Sequence, residues 1–321
     1  LKILGFILIF VSPPFLKKVF LKWFFKAKIG KGVRIGWFST LSGSAIELGG
    51  HSEVRALTII RCGGQVKIGD YSVISNMTMI YGASGFAVGE QCYIGPQCLI
   101  NTDRDVTLGD VSALGPRSMI FTHGSFLPYI DGYWVKMDSV TIGNHVWIAA
   151  GVFIHPGVQI ANNVFVNSRS TVTGCIAEDQ VIAGNPAKQI STMSGLKRKM
   201  RPKRVDLAAR QVLDSFSELT LQKKFNIQPV EEGGFKKFRY KNNDYSIGVI
   251  PSDNSGQLDY LNNFKVRHII LSNIEQSTSM WASHVLVFDL QNRLTCKSKD
   301  VIHRELWAFM RMYFGITFRY E

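Results

Sequence analysis

The chain has 321 residues, 46% hydrophobic and 19% charged, a composition that excludes a disordered or low-complexity protein and leaves room for about two domains. Its 37 Lys plus Arg against 24 Asp plus Glu give a formal charge of +13, a balance that suits nucleic acid, an anionic membrane or an acidic polymer. The distribution narrows this. Residues 1–34 hold eight basic groups and no acid, and residues 195–204 hold six more and no acid, so the remaining 277 residues sum to −1. A near-neutral body with two basic patches points to a location rather than to a nucleic-acid partner.

The first element is Ile3–Val11, an apolar run stopped by Ser12-Pro13-Pro14. A spanning helix needs about 20 apolar residues, so this run alone does not cross a bilayer. Phe15–Lys26 then places Lys18, Lys22 and Lys26 on one helical stripe, with Leu16, Val19, Phe20, Trp23 and Phe24 expected opposite. That pattern suits a helix lying in a membrane interface, or one capping the domain that follows. Residues 1–27 are therefore expected to form an amphipathic segment that either meets a membrane or caps the solenoid. No small-residue cleavage site follows the apolar run, so a cleaved leader is not expected, and the opening Leu1 suggests a start further upstream.

From residue 28 the chain repeats. Aliphatic residues recur every six positions: Ile68, Ile74 and Ile80, then Val88, Ile94 and Ile100, then Leu108, Leu114 and Ile120. Glycine often follows at i+1, and a small or β-branched residue stands at i+4, as at Ser72, Cys92, Ser112 and Val146. Six extended residues make a side of about 20 Å, and three sides close one turn of a solenoid. The i residues point inward, and glycine at i+1 is expected to supply backbone freedom. Seven coils fit between residues 29 and 177.

This pattern, and above all Ile142-Gly143-Asn144-His145-Val146-Trp147-Ile148 running on to Ile182-Ala183-Gly184-Asn185-Pro186-Ala187-Lys188, resembles the hexapeptide-repeat acyltransferases. The likeness is to their O-acetyltransferase branch, which includes galactoside, maltose and polysaccharide acetyltransferases. It implies a left-handed parallel β-helix over residues 28–192, acetyl-CoA as acyl donor and a homotrimer. Ile120 and Ile142 stand 22 residues apart instead of six, so a loop leaves the wall between them. Its root is His123. A histidine is suited to remove a hydroxyl proton near neutral pH without a metal, and the resemblance assigns His123 that role as general base. The resemblance also implies that the backbone N–H of Ala150 holds the oxyanion. It further implies that Trp147, Ala149, Ser168, Arg169, Thr173, Asn185 and Lys188 line the coenzyme A groove. Arg169 departs from the glycine common there; it either narrows the groove or offers a cation to the nucleotide phosphates.

The related γ-class carbonic anhydrases share the fold and hold a metal through three histidines. Here His145 and His155 are ten residues apart with no close pair, so no metal is expected, and His51, His145 and His155 read as surface or packing residues. Five cysteines without a C-x-x-C spacing argue for a reducing compartment, with Cys92 and Cys98 filling inward slots as small hydrophobes.

After a basic linker, 193–204, the pattern changes. A helix over 207–225, strands over 235–241, 245–250, 266–274 and 285–290, a helix over 299–313 and a last strand over 316–320 make residues 205–321 a small α+β accessory domain. His268, His284 and His303 are isolated there and read as structural. The fold class is thus mainly β: a β-helix solenoid with an amphipathic amino-terminal segment and a small carboxy-terminal α+β domain.

The expected activity is transfer of an acetyl group from acetyl-CoA to a sugar hydroxyl in surface polysaccharide, lipopolysaccharide or capsule assembly. The acceptor is a sugar or lipid-linked saccharide, and the enzyme lies in the cytoplasm, peripheral on the inner face of the cell membrane. N-acetylation of a nucleotide-linked amino sugar or of an antibiotic, and a non-catalytic scaffold, are the competing readings.

Overall fold

The computed structural model describes residues 2–124, 127–253, 265–274 and 284–320; Ser125 and Phe126 of the expected loop lie outside them. Two compact units divide the chain, Leu1–Lys197 and Arg198–Glu321.

The first unit is a three-faced parallel β-helix of seven coils. Face one runs from Lys28–Ile29 to Gln159–Ile160, face two from Arg34–Ile35 to Phe165–Val166, and face three from Thr40–Ser42 to Thr171–Val172. Each strand pairs in parallel with the strand one coil away, in a register that stacks the inward aliphatics: Ile94 on Leu114 on Ile148, and Ile100 on Ile120 on Ile154. All six are fully buried. An interior aliphatic of this kind contributes about 1.5–3 kcal/mol by leaving water, so the stack is the core.

The corners are held by polar atoms. Ser112 Oγ donates to Gly143 O (2.7 Å) in the next coil and accepts from Val146 N (3.0 Å). Ser118 does the same with Ala149 O and Val152 N. Cys92 and Cys98, expected as small hydrophobes, are buried in equivalent slots, but their thiols face the carbonyls of Gly109 (2.9 Å) and Gly115 (3.2 Å) as donors. In coils 3–5 the slot thus holds small side chains that give a hydrogen to the next coil, while in coils 6 and 7 Val146, Val152, Val158 and Val164 fill it with apolar bulk alone.

The i+1 glycines serve a different purpose from the one expected. At the one–two and two–three corners the left-handed conformation falls on the residue before the i+4 slot, such as Tyr71 (φ 58°), Gln97 (φ 60°), Arg117 (φ 58°) and Arg169 (φ 57°). Gly115 is required by crowding: a Cβ there would stand 2.5 Å from the Ala149 carbonyl carbon one coil on. Close stacking of coils, rather than backbone freedom, selects glycine.

Two short helices close the open end of coil 1: α1 (Lys2–Val11) and α2 (Pro14–Phe25). Ile9, Leu21 and Phe25 join the β-helix core alongside Val33, Ile35 and Leu41. A solenoid end needs such a cover. Lys17 is fully buried, its ammonium bonded to the carbonyls of Ile9, Phe10 (3.2 Å) and Ser39 (2.8 Å), which ties the end of α1 to the first coil. Burial lowers its pKa to about 8. The buried face of α2 is Lys17, Leu21 and Phe25. Val19 and Trp23 therefore share the exposed side with Lys22 and Lys26 instead of opposing them. At the far end, Gln180–Gly184 continues face two and turns back as Ala187–Thr192, followed by a short helix, α3 (Met193–Leu196).

The second unit is a seven-stranded mixed sheet with Asn243–Ile250, Val266–Ser272 and Val285–Asp289 parallel at its centre. Its first helix, α4 (Pro202–Phe216), starts inside the stretch read as linker, with proline in the first turn where its missing N–H costs nothing. It continues as a π-helical turn over Ser217–Gln222. The last helix, α5 (Val301–Phe314), is capped by Asp300, whose carboxylate accepts from the backbone N–H groups of Ile302 and His303, from Tyr245 and from Arg267. Burial opposes the charge on Asp300, but these donors outweigh it and hold its pKa below the usual carboxylate range. His303 lies stacked on Phe288 at 4.4 Å and beside Thr295 at 3.0 Å; burial lowers its pKa to about 4. Strands Val230–Glu232 and Leu294–Thr295 were not expected from the pattern, and the last strand is only Arg319–Tyr320.

Candidate active site

Every coil has the same three corners, and the sequence-derived candidates fall on two of them. His123 leaves the last strand of coil 5 at the corner between faces three and one. There the chain breaks from the wall as a hairpin, with His123–Gly124 antiparallel to Lys136–Met137 and a 3-10 turn at Tyr129–Asp131. The Thr122 carbonyl accepts from Asp138 N (2.9 Å), which closes the base of the hairpin against the coil.

The imidazole is held from one coil below. Its Nδ1 is 3.0 Å from Asn101 Oδ1 and 3.1 Å from Asp103 Oδ2. Both oxygens are acceptors, so Nδ1 carries the hydrogen and Nε2 presents a free lone pair. The holders are themselves held. Asn101 is buried, its Nδ2 donates to Asp103 Oδ2 (3.2 Å), and its Oδ1 also accepts from the buried Thr122 hydroxyl (2.7 Å). His123 stays about two-fifths exposed. Phe121 stacks on Phe153 at 5.5 Å beside it, and His155, one coil up, packs edge-on to Phe153. Burial and then the nearby Lys136 push the His155 pKa down, which favours its neutral form. Asn101 and Asp103 were missed in the sequence. The readable clue was the repeat itself, since residues about 20 positions before His123 must share its corner.

The second cluster is at the corner between faces two and three. Successive coils place Pro96, Pro116, Ala150 and Ser168 in one slot, each just before the left-handed residue of its turn or Gly151. Pro96 and Pro116 have no N–H, and the Ser168 N–H is bonded to Asn167 Oδ1 (2.9 Å). Ala149 N and Gly151 N both enter the ladder, while the Ala150 N–H stays outside it and Ala150 O accepts from Arg169 N. Within coils 4–7 the uncommitted backbone donor of this column is thus in coil 6; Trp37, Ala56 and Asn76 hold the same slot in coils 1–3 with N–H groups likewise outside the ladder.

Around it stand Ala149, buried, and Trp147, exposed and packed on Phe165 at 4.6 Å. The stem of Arg169 passes over Gly151, where an added Cβ would meet its Cγ at 3.7 Å. Gly184 N donates to Ser170 Oγ, which brings the Asn185 turn to the same corner, with Lys188 exposed on the returning strand. Thr173 does not join this group. It follows the last strand of face three and so stands at the corner of His123, two coils up. Within one chain a whole face separates His123 from Ala150, about 20 Å for six extended residues. The fold gathers each cluster and keeps the two apart.

His51 stacks on Tyr71 at 5.1 Å, and His145 occupies a left-handed corner position. Among the described residues no three His, Cys, Asp or Glu side chains are grouped to hold a metal ion.

The family model described as bacterial transferase hexapeptide (six repeats) matches residues 139–174, which are coils 6 and 7. Over 56 residues the chain is 45% identical to the putative lipopolysaccharide biosynthesis O-acetyl transferase WbbJ of Escherichia coli, covering 17% of this chain and 29% of that protein. Over 55 residues it is 38% identical to a chloramphenicol acetyltransferase of Klebsiella aerogenes, covering 17% and 26%. The matched stretch is thus less than a third of either relative. A solved structure of AntD, an N-acyltransferase from Bacillus cereus, in complex with dTDP and coenzyme A superimposes with a TM-score of 0.41 at 18% identity, covering 64% of this chain and all of that one.

Proposed function

We propose that the protein is an acetyl-CoA-dependent O-acetyltransferase whose acceptor is a saccharide hydroxyl in surface-polysaccharide assembly. The observation that carries this reading is the imidazole of His123, fixed by Asn101 and Asp103 in the tautomer that leaves Nε2 unprotonated. In the reaction Nε2 takes the hydroxyl proton as the acceptor oxygen attacks the thioester carbonyl. The oxyanion is held by the Ala150 N–H. The C–S bond then breaks, and the proton passes from His123 to the departing coenzyme A thiolate. The kinship with an O-acetyl transferase of lipopolysaccharide biosynthesis supports the choice of oxygen and of a saccharide.

The separation of the two corners gives the assembly a role. The three–one corner of one copy meets the two–three corner of its neighbour, most simply in a homotrimer, so that base and oxyanion donor face one acetyl group. Arg169 and Lys188, both exposed at the donor corner, take the coenzyme A phosphates, and Trp147 flanks the pantetheine arm. The enzyme works in the cytoplasm, on the inner face of the membrane. The test is His123→Ala: acetyl transfer to a saccharide acceptor falls about a hundred- to ten-thousandfold with the folded assembly intact, as general-base loss requires. Near-normal turnover in that variant contradicts the mechanism.

A further inference from the structure

The helical cap has two chemically different sides. Its inner side is Ile9, Leu21 and Phe25, merged with the core of the β-helix. Its outer side carries Ile3, Ile7 and Val11 from α1 and Phe15, Val19 and Trp23 from α2, all exposed, Phe15 by 72% and Trp23 by 73%. Lys22 and Lys26 are exposed on the same side of α2, and residues 1–34 contain no acidic side chain at all. Large apolar side chains gathered on two packed helices and interleaved with cations mark an interaction surface. At 10 and 12 residues neither helix is long enough to cross a bilayer, so a membrane would meet them lying flat.

The cap also adjoins the corner of the proposed base. A cavity of about 530 Å³, lined by Ile3, Phe6, Phe25, Gly43, Arg61 and Gly82, opens between the cap and the three–one corner of coils 1–3. Continuing up the same corner leads to Asn101 and Asp103 in coil 4 and to His123 in coil 5. At about 4.8 Å per coil, His123 lies about 19 Å above coil 1. Arg61 is exposed on this edge in coil 2, about 14 Å short of His123, with no ion-pair partner among the described residues.

We propose that the outer side of the cap docks on an anionic phospholipid bilayer and thereby presents the three–one edge to a saccharide anchored in that bilayer. The aromatic and aliphatic side chains enter the headgroup–acyl boundary, and the lysines meet the lipid phosphates. The saccharide rises from the membrane along the edge, its linking phosphate at Arg61 and its acceptor hydroxyl at His123 Nε2. The docking stands on the cap alone; the acceptor half rests on the acetyl-transfer reading above.

The experiment is co-sedimentation of the full chain with vesicles of phosphatidylcholine alone and of phosphatidylcholine with one-third phosphatidylglycerol. The protein sediments with the anionic vesicles far more than with the neutral ones, and added salt releases it. Lys22→Gln with Lys26→Gln weakens partitioning about 25-fold, about fivefold for each cation lost at the surface. Phe15→Ser with Trp23→Ser abolishes sedimentation. Absence of binding to anionic vesicles, or variants that bind as tightly as the parent, overturns the docking. So does a cap variant that dissociates a larger assembly in solution while the parent ignores vesicles, because the face is then covered by a second copy. For the acceptor, acetyl transfer is compared between a lipid-diphosphate-linked saccharide in anionic vesicles and the same saccharide free in solution. The ratio of the two rates falls in the lysine variant by the factor that binding falls; an unchanged ratio overturns the lipid-anchored acceptor. A protein that binds vesicles but transfers no acetyl group to either saccharide contradicts the enzyme reading and leaves the docking intact.

Discussion

The two corners of the β-helix begin from the same repeat and arrive at different chemistry. At the three–one corner the repeat breaks, and the proposed base is a side chain: His123, held by Asn101 and Asp103 from the coil below. At the two–three corner the repeat continues, and what coil 6 supplies is a main-chain N–H at Ala150, one that Pro96 and Pro116 cannot offer and that Ser168 has already spent on Asn167. A regular solenoid turns most of its backbone donors into ladder, and the slot before the left-handed residue of this corner is a place where an N–H stays outside it, at Trp37, Ala56, Asn76 and Ala150. A side-chain base needs the opposite, a departure from the wall that lets the ring stand clear while rigid neighbours fix its tautomer.

That contrast can be broken at either corner. Ala150→Pro removes the donor in a slot where the same column already accepts proline, at Pro96 and Pro116. Transfer falls about a hundred- to a thousandfold, as for loss of one oxyanion donor, with an unchanged melting temperature by circular dichroism. If transfer is unaffected, the backbone donor lies elsewhere. Asn101→Ala acts more gently, because Asp103 still reaches Nδ1. It lowers kcat about 10- to 100-fold by loosening the ring and leaves the KM for acetyl-CoA in place. A change confined to that KM would assign Asn101 to donor binding rather than to positioning the base.

Much of this was legible because the repeat is a ruler. The aliphatics spaced by six, from Ile68 to Ile154, fixed which residues stack inside, and the 22-residue gap before Ile142 marked the hairpin and its root at His123. Asn101 and Asp103 went unread because their importance lies in the neighbouring coil; only counting one coil back from His123 brings them to it. Gly115 was visible but misread, since crowding against Ala149 in the next coil cannot be seen in one strand's pattern. Lys17 was hidden for a related reason. A lysine in a basic stretch reads as solvated, yet three backbone carbonyls from α1 and coil 1 enclose its ammonium. In the second unit α4 begins at Pro202 because a basic run can enter a helix as easily as a linker, and charge alone does not separate the two.

In the proposed mechanism the two corners act together across neighbouring copies, and subunit complementation tests that most directly. His123→Ala and Ala150→Pro chains, each inactive alone, are produced together and the mixed assemblies are assayed for acetyl transfer from acetyl-CoA. Recovered transfer is the predicted result, since some interfaces then join an intact His123 from one copy to an intact Ala150 N–H from another. Mixed assemblies that stay as inactive as either parent would contradict it.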